Sequence, residues 1–241
     1  MDYAFDSRLI FDLGMNNGDD TAFYLRKGFG VVALEANPSL CEHAAGRFAP
    51  AIADGKLEIV NAAIWDRSGE VTFHVNLDND HWSSIETGWA GRDNSRMKAI
   101  TVRSMTLGEL FAENGVPMYL KIDVEGVDLQ VLEQLLSLPT LPARVSVEDC
   151  RFGFQYLDIL ARAGYDGFKL LDQSTVPDLT DETTNAAFPK GASGPLGDDI
   201  AGAWLGYDDI VSQYATTVRD HDGVRIADRT HWWDIHAARL R

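Results

Sequence analysis

The chain has 241 residues, 45% of them hydrophobic, and its 37 acidic and 21 basic side chains give a formal net charge of −16. This suits one compact α/β domain. The negative charge, and the lack of an apolar run near the roughly 18 residues of a membrane span, argue against nucleic acid and membranes as partners. Two distant cysteines exclude a disulfide framework and a multi-cysteine metal cluster and, with no secretion leader at the start, predict a cytoplasmic protein.

Strand-like and helix-like segments alternate in the first part of the chain. An apolar run over 8–14 ends in a glycine turn, and the next segment, 19–28, is predicted to be a helix. A second strand is predicted over 30–37, followed by another helix, and a third over 56–64. Continuous apolar strands joined by helices are typical of a parallel sheet that is covered on both faces.

The pattern changes after the third strand. Residues 69–76 and 98–105 alternate between apolar and polar side chains, as β-strands do, and they flank a polar, aromatic insert. Further elements are predicted as helices over 106–115, 128–138 and 152–163 and as strands over 117–126, 143–150 and 167–173. We therefore predict a Rossmann-like, doubly wound, mostly parallel sheet with a β insertion after strand three.

The last part of the chain is predicted to contain a long loop and a tail. Residues 186–206 hold five glycines and two prolines, which indicates either a lid over the substrate or a mobile surface loop. Residues 207–241 are predicted to pack on the body of a single domain, 1–241, through a hydrophobic terminal helix around Trp232 and Trp233. An aromatic platform for a sugar is the alternative.

The glycine turn after the first strand is the first candidate site, because ligands of open α/β sheets bind at the carboxyl ends of strands. The turn from Gly14 to Gly18 has Asn16 where a dinucleotide motif has its second glycine. Asp19 and Asp20 follow at a helix start, where they would repel a phosphate and attract a cation. These features favour S-adenosylmethionine, which carries a nucleoside, an ammonium and a sulfonium group but no phosphate.

Glu35 supports this interpretation of the turn. It ends the second strand 21 residues after Gly14, where a carboxylate can accept hydrogen bonds from both ribose hydroxyls. Asp19 and Asp20 can also be ordinary helix-start carboxylates. An NAD-dependent Rossmann oxidoreductase would share the sheet, the turn and Glu35, and a non-catalytic S-adenosylmethionine-binding or scaffold protein would keep the whole fold. Both remain alternatives.

Several segments, in this order and at this spacing, resemble the FkbM-type S-adenosylmethionine-dependent methyltransferases. They read FDLGMNNGDDTAFYL, VVALEANP, NAAIWDRSGEVTF, SMTLGEL and YLKIDVEGVDLQVLEQL. The segments HWSSIETGWAGR and GASGPLGDDIAGAWLGYDDI are similar to one branch of that family. The resemblance covers roughly residues 8–210 and implies a class I methyltransferase fold.

The resemblance also implies a set of cofactor-binding residues. Those around the methionine moiety would be Asp12, Gly14, Asn16 and Gly18, with Asp20 and Thr21 at the helix start and Asp123 at the amino-acid end. Those around the nucleoside would be Glu35 at the ribose, Ala36 and Asn37 beside the adenine, and Asn61, Ala62 and Ala63 at the far side of the adenine pocket.

The segment KIDVEG carries the densest set of candidates for the chemistry. If the strand stays extended, Lys121, Asp123 and Glu125 share one side of it at the mouth of the cleft. Glu125 is the first choice for the base that takes a proton from a hydroxyl acceptor. Lys121 would either hold an acceptor oxygen or form a structural pair with a carboxylate.

Other candidates lie in the insert and at a later strand end. His81 is a second candidate base, since histidine titrates near neutral pH, and Ser83, Ser84 and Glu148 are predicted to bind substrate. Strand-end carboxylates can also bind a divalent cation, but no metal site is predicted. The chain is thus expected to be an O-methyltransferase for a small-molecule or glycan hydroxyl, with the acceptor class taken from the resemblance.

Overall fold

The computed structural model describes residues 3–241. The chain forms two compact units, Met1–Pro142 (unit 1) and Ala143–Arg241 (unit 2). The single domain expected from the sequence stays a prediction. Within the described residues, no helix is both long enough and apolar enough to cross a membrane.

Unit 1 is built on a parallel sheet. Its strands are β1 (Phe5–Leu13), β2 (Gly30–Glu35), β3 (Leu57–Asn61), β4 (Ala63–Ile64), β5 (Gly69–Asn76), β6 (Met97–Met105) and β7 (Val116–Ile122). The parallel strands lie in the order β3-β2-β1-β7. The chain moves outward from β1 to β3 and returns to the other side of β1 as β7. The topological switch point, where ligands bind in such sheets, therefore lies between β1 and β7.

Two of the six α-helices in the described part of unit 1 begin with side-chain caps. They are α1 (Asp19–Arg26), α2 (Pro38–Arg47), α3 (Ala49–Ala53), α4 (Thr87–Ala90), α5 (Leu107–Asn114) and α6 (Asp128–Gln134). The side chain of Asn37 accepts the N–H of Ser39 at the start of α2, and Thr106 and Glu109 form a capping box on α5. Phe11 of β1 is fully buried, as expected for a strand covered on both faces.

The β insertion after strand three is confirmed as a second sheet, with the order β4-β6-β5. The single strand predicted over 56–64 is divided: β3 stays in the parallel sheet, whereas β4 pairs with β6. The two predicted segments are β5 and β6, and they pair as an antiparallel hairpin. Its connection, residues 77–96 (the insert), contains α4 and two short 3-10 turns, Asp80–Trp82 and Arg92–Asn94.

Unit 2 has three strands with antiparallel pairing and a further two-stranded ribbon. Its elements are α7 (Gly153–Arg162), α8 (Tyr207–Thr217), β8 (Arg144–Glu148), β9 (Gly167–Asp172), β10 (Thr180–Asp181), β11 (Ala186–Ala187) and β12 (Trp233–Ala238). The sheet order is β8-β12-β9, with β12 antiparallel to both neighbours. Residues 188–206, all of them described, form a loop without helix or strand. The segment predicted as a loop over 186–206 therefore begins with the short strand β11, and its role as a lid or substrate loop stays a prediction.

The predicted terminal helix around Trp232 and Trp233 is wrong. Residues 233–238 form the strand β12, whose backbone is paired on both sides. Ile235 and Ala237 are fully buried, so the segment contributes to the core. Long-range pairing decides the conformation here, because the local sequence alone is compatible with a helix. The α/β class with a mostly parallel central sheet is otherwise confirmed.

Candidate active site

The turn after β1 forms the first wall of the site. Gly14 has a φ of +81°, and a Cβ added there would lie 1.8 Å from the carbonyl oxygen of Asp123. The N–H groups of Gly14 and Met15 both donate to the carbonyl of Leu34, at 3.0 and 3.1 Å. Only glycine permits such a close backbone approach. The turn, the end of β2 and the end of β7 therefore meet at the switch point.

Glu35 is fixed at this junction by two backbone N–H groups. Asn16 donates to its Oε2 at 2.9 Å, and Asn37 donates to its Oε1 at 2.7 Å. Burial raises the pKa of Glu35, while these two hydrogen bonds and the charge of Lys121 act in the opposite direction. A carboxylate oxygen has two lone pairs, so each oxygen can still accept one more hydrogen bond.

Lys121 lies in a buried ion cluster beneath the turn. Its Nζ is 3.2 Å from Oδ1 of Asp12, 3.4 Å from Oδ2 of Asp20 and 3.5 Å from Oδ2 of Asp123. Burial alone would lower the pKa of Lys121, but the three carboxylates outweigh it and raise the pKa well above its ordinary value. The geometry therefore favours the structural ion pair that was one of the two expectations for Lys121.

The loop after β7 does not continue as an extended strand. β7 ends at Ile122, and Glu125 has a φ of +54°. The side chain of Asp128 holds the loop by accepting the N–H groups of Val124 at 3.0 Å and Gly126 at 2.9 Å. The strand is therefore not extended through Glu125. Such an extension was the condition for Lys121, Asp123 and Glu125 to share one side of the strand.

Glu125 is held by side chains from the insert. The indole N–H of Trp89 donates to Oε2 at 2.6 Å, and Nη2 of Arg92 donates to the same oxygen at 3.0 Å. Ser84 Oγ donates to the backbone carbonyl of Glu125 at 2.6 Å. Burial and the charge of Asp123 raise the pKa of Glu125 to about 8, although Arg92 and the Trp89 hydrogen bond act to lower it.

A cleft opens where these loops and the insert meet. The predicted site residues that line it are Gly14, Asn16, Glu35, Ala36, Ala63, His81, Ser83, Asp123 and Glu125. The lining residues that sequence reasoning missed are Leu34, Ile64, Phe73, Asp80, Ile85, Val124 and Val127. The alternation of β5 was a usable signal for Phe73, because it places that residue on the buried face of the hairpin.

Other predicted residues are not among those that line the cleft. They are Asp12, Gly18, Asp20, Thr21, Asn37, Asn61, Ala62, Ser84 and Lys121. Thr21 donates to Asp12 at 2.6 Å, and Asn61 Nδ2 donates to the carbonyl of Glu35, a lining residue, at 2.9 Å. The direct contact of these residues with a cofactor stays a prediction. Glu148 ends β8 in unit 2, and its role in substrate binding also stays a prediction.

Asp19 does not line the cleft, although its carboxylate was expected to attract a cationic ligand there. Its carboxylate pairs with Arg47 at 2.8 Å and accepts a hydrogen bond from the side chain of Asn17 at 3.0 Å. The carboxyl groups that face the cleft are instead those of Glu35, Asp123 and Glu125, together with that of Asp80 in the insert. Among the described residues that line this cleft, none is lysine or arginine.

The cleft therefore combines two kinds of surface. Carboxylates attract a cationic ligand and disfavour phosphate. Apolar side chains such as Leu34, Ile64 and Phe73 provide a surface on which a flat, weakly polar ring can pack. Such an arrangement suits a nucleoside that carries positive charge.

Three solved structures illustrate the proteins that this chain is similar to. The methyltransferase FkbM of Methylobacillus flagellatus KT is 15% identical, with a TM-score of 0.47, and the match covers 69% of this chain and 40% of that one. The C-terminal domain of precorrin-6Y C5,15-methyltransferase from Rhodobacter capsulatus is 12% identical, with a TM-score of 0.45, and the match covers 97% and 81%. This chain thus spans two fifths of the length of the first.

The third is geranyl diphosphate C-methyltransferase from Streptomyces coelicolor A3(2), in complex with Mg²⁺, geranyl-S-thiolodiphosphate and S-adenosyl-L-homocysteine. It is 11% identical, with a TM-score of 0.43, and the match covers 99% of this chain and 72% of that one. A comparison with curated protein sequences finds no match. The family model described as Methyltransferase FkbM domain matches residues 12–181. The chain belongs to the methyltransferase FkbM domain family.

Proposed function

We propose that this chain binds S-adenosylmethionine in the cleft and transfers its methyl group to a hydroxyl of a small molecule or glycan. The observation that carries the proposal is the set of carboxylates around the cleft at the switch point. Glu35 lies at the end of β2, and Asp123 and Glu125 follow β7. A methyltransferase needs groups at these places for its cofactor and for the acceptor proton.

The cofactor's parts match different parts of the cleft. Glu35 would accept hydrogen bonds from the ribose hydroxyls. It has lone pairs for them because the N–H groups of Asn16 and Asn37 occupy only one on each oxygen. Asp123, Ala36 and Ala63 line the cleft; Asp123 would attract the ammonium group of the methionine moiety, and the two alanines would flank the adenine. The cofactor has a net charge of +1, so the carboxylates of the cleft favour it over NAD, whose pyrophosphate is negative.

Methyl transfer is an in-line displacement in which the sulfonium–carbon bond breaks as an oxygen–carbon bond forms. Holding acceptor and methyl group in line can supply about 7–11 kcal/mol of the barrier. Glu125 takes the hydroxyl proton, a contribution of typically about 10²–10⁴ in rate. Its pKa of about 8 is close to neutral pH, as an effective general base requires.

The insert supplies the acceptor side of the proposed site. His81 lines the cleft with a side chain that is 47% exposed, and Ser83 lies next to it. We place these two residues against the acceptor, with His81 as the alternative base. The proposed location is the cytoplasm, which the free thiols of Cys41 and Cys150 support.

The test uses S-adenosylmethionine with a labelled methyl group and extracts of the native host. The wild-type protein is expected to label an acceptor in the extract, and Glu125→Gln is expected to lower the rate by about 10²-fold or more. Glu58→Gln is the matched control, because this exposed residue of β3 is absent from the cleft lining. Loss of activity in His81→Gln but not in Glu125→Gln would assign the base to His81. No transfer by wild-type protein to any fraction would favour a binding or scaffold protein.

A further inference from the structure

The insert contains an arginine that is stacked between two tryptophans. The guanidinium carbon of Arg92 lies 4.5 Å from the ring centroid of Trp82 and 4.4 Å from that of Trp89. Arginine stacks on aromatic faces and retains directed N–H groups at its edge. The two rings therefore fix the plane of a side chain that would otherwise sample many rotamers.

The same group of side chains reaches the proposed base. Arg92 and Trp89 donate to one and the same oxygen of Glu125, Oε2. Trp89 can lie this close because its neighbour is a glycine: a Cβ added to Gly126 would lie 2.8 Å from Cγ of the Trp89 ring. No hydrogen bond to the other oxygen, Oε1, is found within residues 3–241.

We propose that Trp82, Trp89 and Arg92 form a clamp that positions Glu125 for methyl transfer, holding Oε2 so that Oε1 is the oxygen available to the acceptor proton. The inference rests on the proposed function, because it requires Glu125 to be the base. The three clamp residues are positioning residues. They act on the acceptor only through Glu125.

The charge of Arg92 adds a second effect of the clamp. Burial favours the protonated form of Glu125, in which it cannot accept a proton, and the nearby charge of Asp123 does the same. Arg92 and the Trp89 N–H both favour the ionised form. The clamp thus orients the base and also shifts its equilibrium toward the ionised form, against the effects of burial and of Asp123.

A double-mutant cycle tests the clamp. Arg92→Gln is expected to lower kcat about tenfold or more, with the Kd for S-adenosylmethionine changed less than about twofold. In the Glu125→Gln background the same substitution is expected to cause no further loss, because its effect passes through the missing carboxylate. Trp89→Phe keeps an aromatic ring but removes the N–H, and it is expected to lower kcat in the same way. Arg96→Gln is the control, since this exposed arginine of the insert pairs with Asp78.

Three results would overturn the clamp. The first is a decrease in kcat from Arg92→Gln that is equal in the wild-type and Glu125→Gln backgrounds. It would mean that Arg92 acts independently of Glu125. The second comes from ¹H–¹⁵N spectra, which need no acceptor: the indole N–H signal of Trp89 is expected to move in Glu125→Gln and to stay in Arg96→Gln. An unmoved signal in Glu125→Gln would exclude the contact. The third is a wild-type rate of methyl transfer in Glu125→Gln together with a moved Trp89 signal. It would show that Trp89 contacts Glu125 but that Glu125 is not the base, so the clamp would have no role in transfer.

Discussion

Glu35 derives its orientation from two loops that come from different parts of the sequence. One oxygen faces the N–H of Asn16 in the glycine turn, and the other faces the N–H of Asn37 at the start of α2. The spacing between Gly14 and Glu35 in the sequence is enough to propose a carboxylate at the end of the strand. It is not enough to predict the two N–H donors, because these depend on the positive φ of Asn16 and on the way in which the turn crosses the end of β2.

The substitution Glu35→Gln tests the ribose contact. An amide group has one oxygen, so it cannot accept from both backbone donors and from the ribose. Hydrogen bonds to charged groups contribute about 1.5–3 kcal/mol each, so we expect S-adenosylmethionine to bind roughly 10- to 100-fold more weakly in calorimetry. Glu58→Gln should bind as the wild type does, and an unchanged Kd in Glu35→Gln would remove Glu35 from the cofactor site.

The pH dependence of transfer tests the state of Glu125. The base acts as a carboxylate, so the rate is expected to rise as the pH increases through about 8, the raised pKa of this group. Replacing Arg92 by Gln removes a charge that lowers this pKa, and the midpoint should move to higher pH. The measurement is kcat/KM across pH for both proteins. The same rising limb in Glu125→Gln would show that another group titrates.

At the scale of elements, the site depends on the contact between the turn after β1 and the loop after β7. Gly14 and Gly55 both have a positive φ, but only Gly14 has backbone where a Cβ would lie. Substituting alanine at Gly55 should cost about 1–2 kcal/mol of unfolding free energy, the penalty for an L-residue in this conformation. Gly14→Ala adds a clash with the carbonyl of Asp123, so we expect a loss of roughly 3 kcal/mol or more.

Chemical unfolding of the two variants measures this difference. The cofactor affinity of any folded Gly14→Ala protein should also fall, because the turn and Asp123 would be forced apart. Equal stability of the two alanine variants would contradict the close approach at the switch point.

The sequence predicts most elements of unit 1 because each depends on local information. The hairpin strands β5 and β6 show a two-residue period, and α5 has a capping box in its own sequence. The loop after β7 is different. Its shape follows from the side chain of Asp128 and from the contact with Trp89, which lies 36 residues before Glu125. Alternation along a strand carries no information on such a loop.

Two other features depend on long-range contacts. β12 is a strand because β8 and β9 offer partners on both sides, whereas its own residues do not exclude a helix. His81 and Ser83 could be singled out as cleft residues of the insert, but the role of Trp82, Trp89 and Arg92 could not. Their significance appears only when the insert is placed against Glu125.

At the scale of the whole molecule, the net charge of −16 agrees in sign with the charge of the cleft. Both attract a cation, and salt screens this attraction, because the Debye length falls from about 10 Å at 0.1 M to about 3 Å at 1 M. We expect the Kd for S-adenosylmethionine to rise about three- to tenfold between 0.05 and 1 M NaCl. S-adenosylhomocysteine, which lacks the sulfonium charge, is the matched ligand and should respond less. An equal response of the two ligands would contradict a role for the sulfonium charge in binding.

The proposed methyl transfer requires that S-adenosylmethionine binds in the cleft at the β1–β7 switch point. Calorimetric titration of the wild-type protein with S-adenosylmethionine, and separately with NAD, tests it most directly. We expect S-adenosylmethionine to bind with one site per chain and NAD to show no measurable binding. Tight binding of NAD without binding of S-adenosylmethionine would contradict the account.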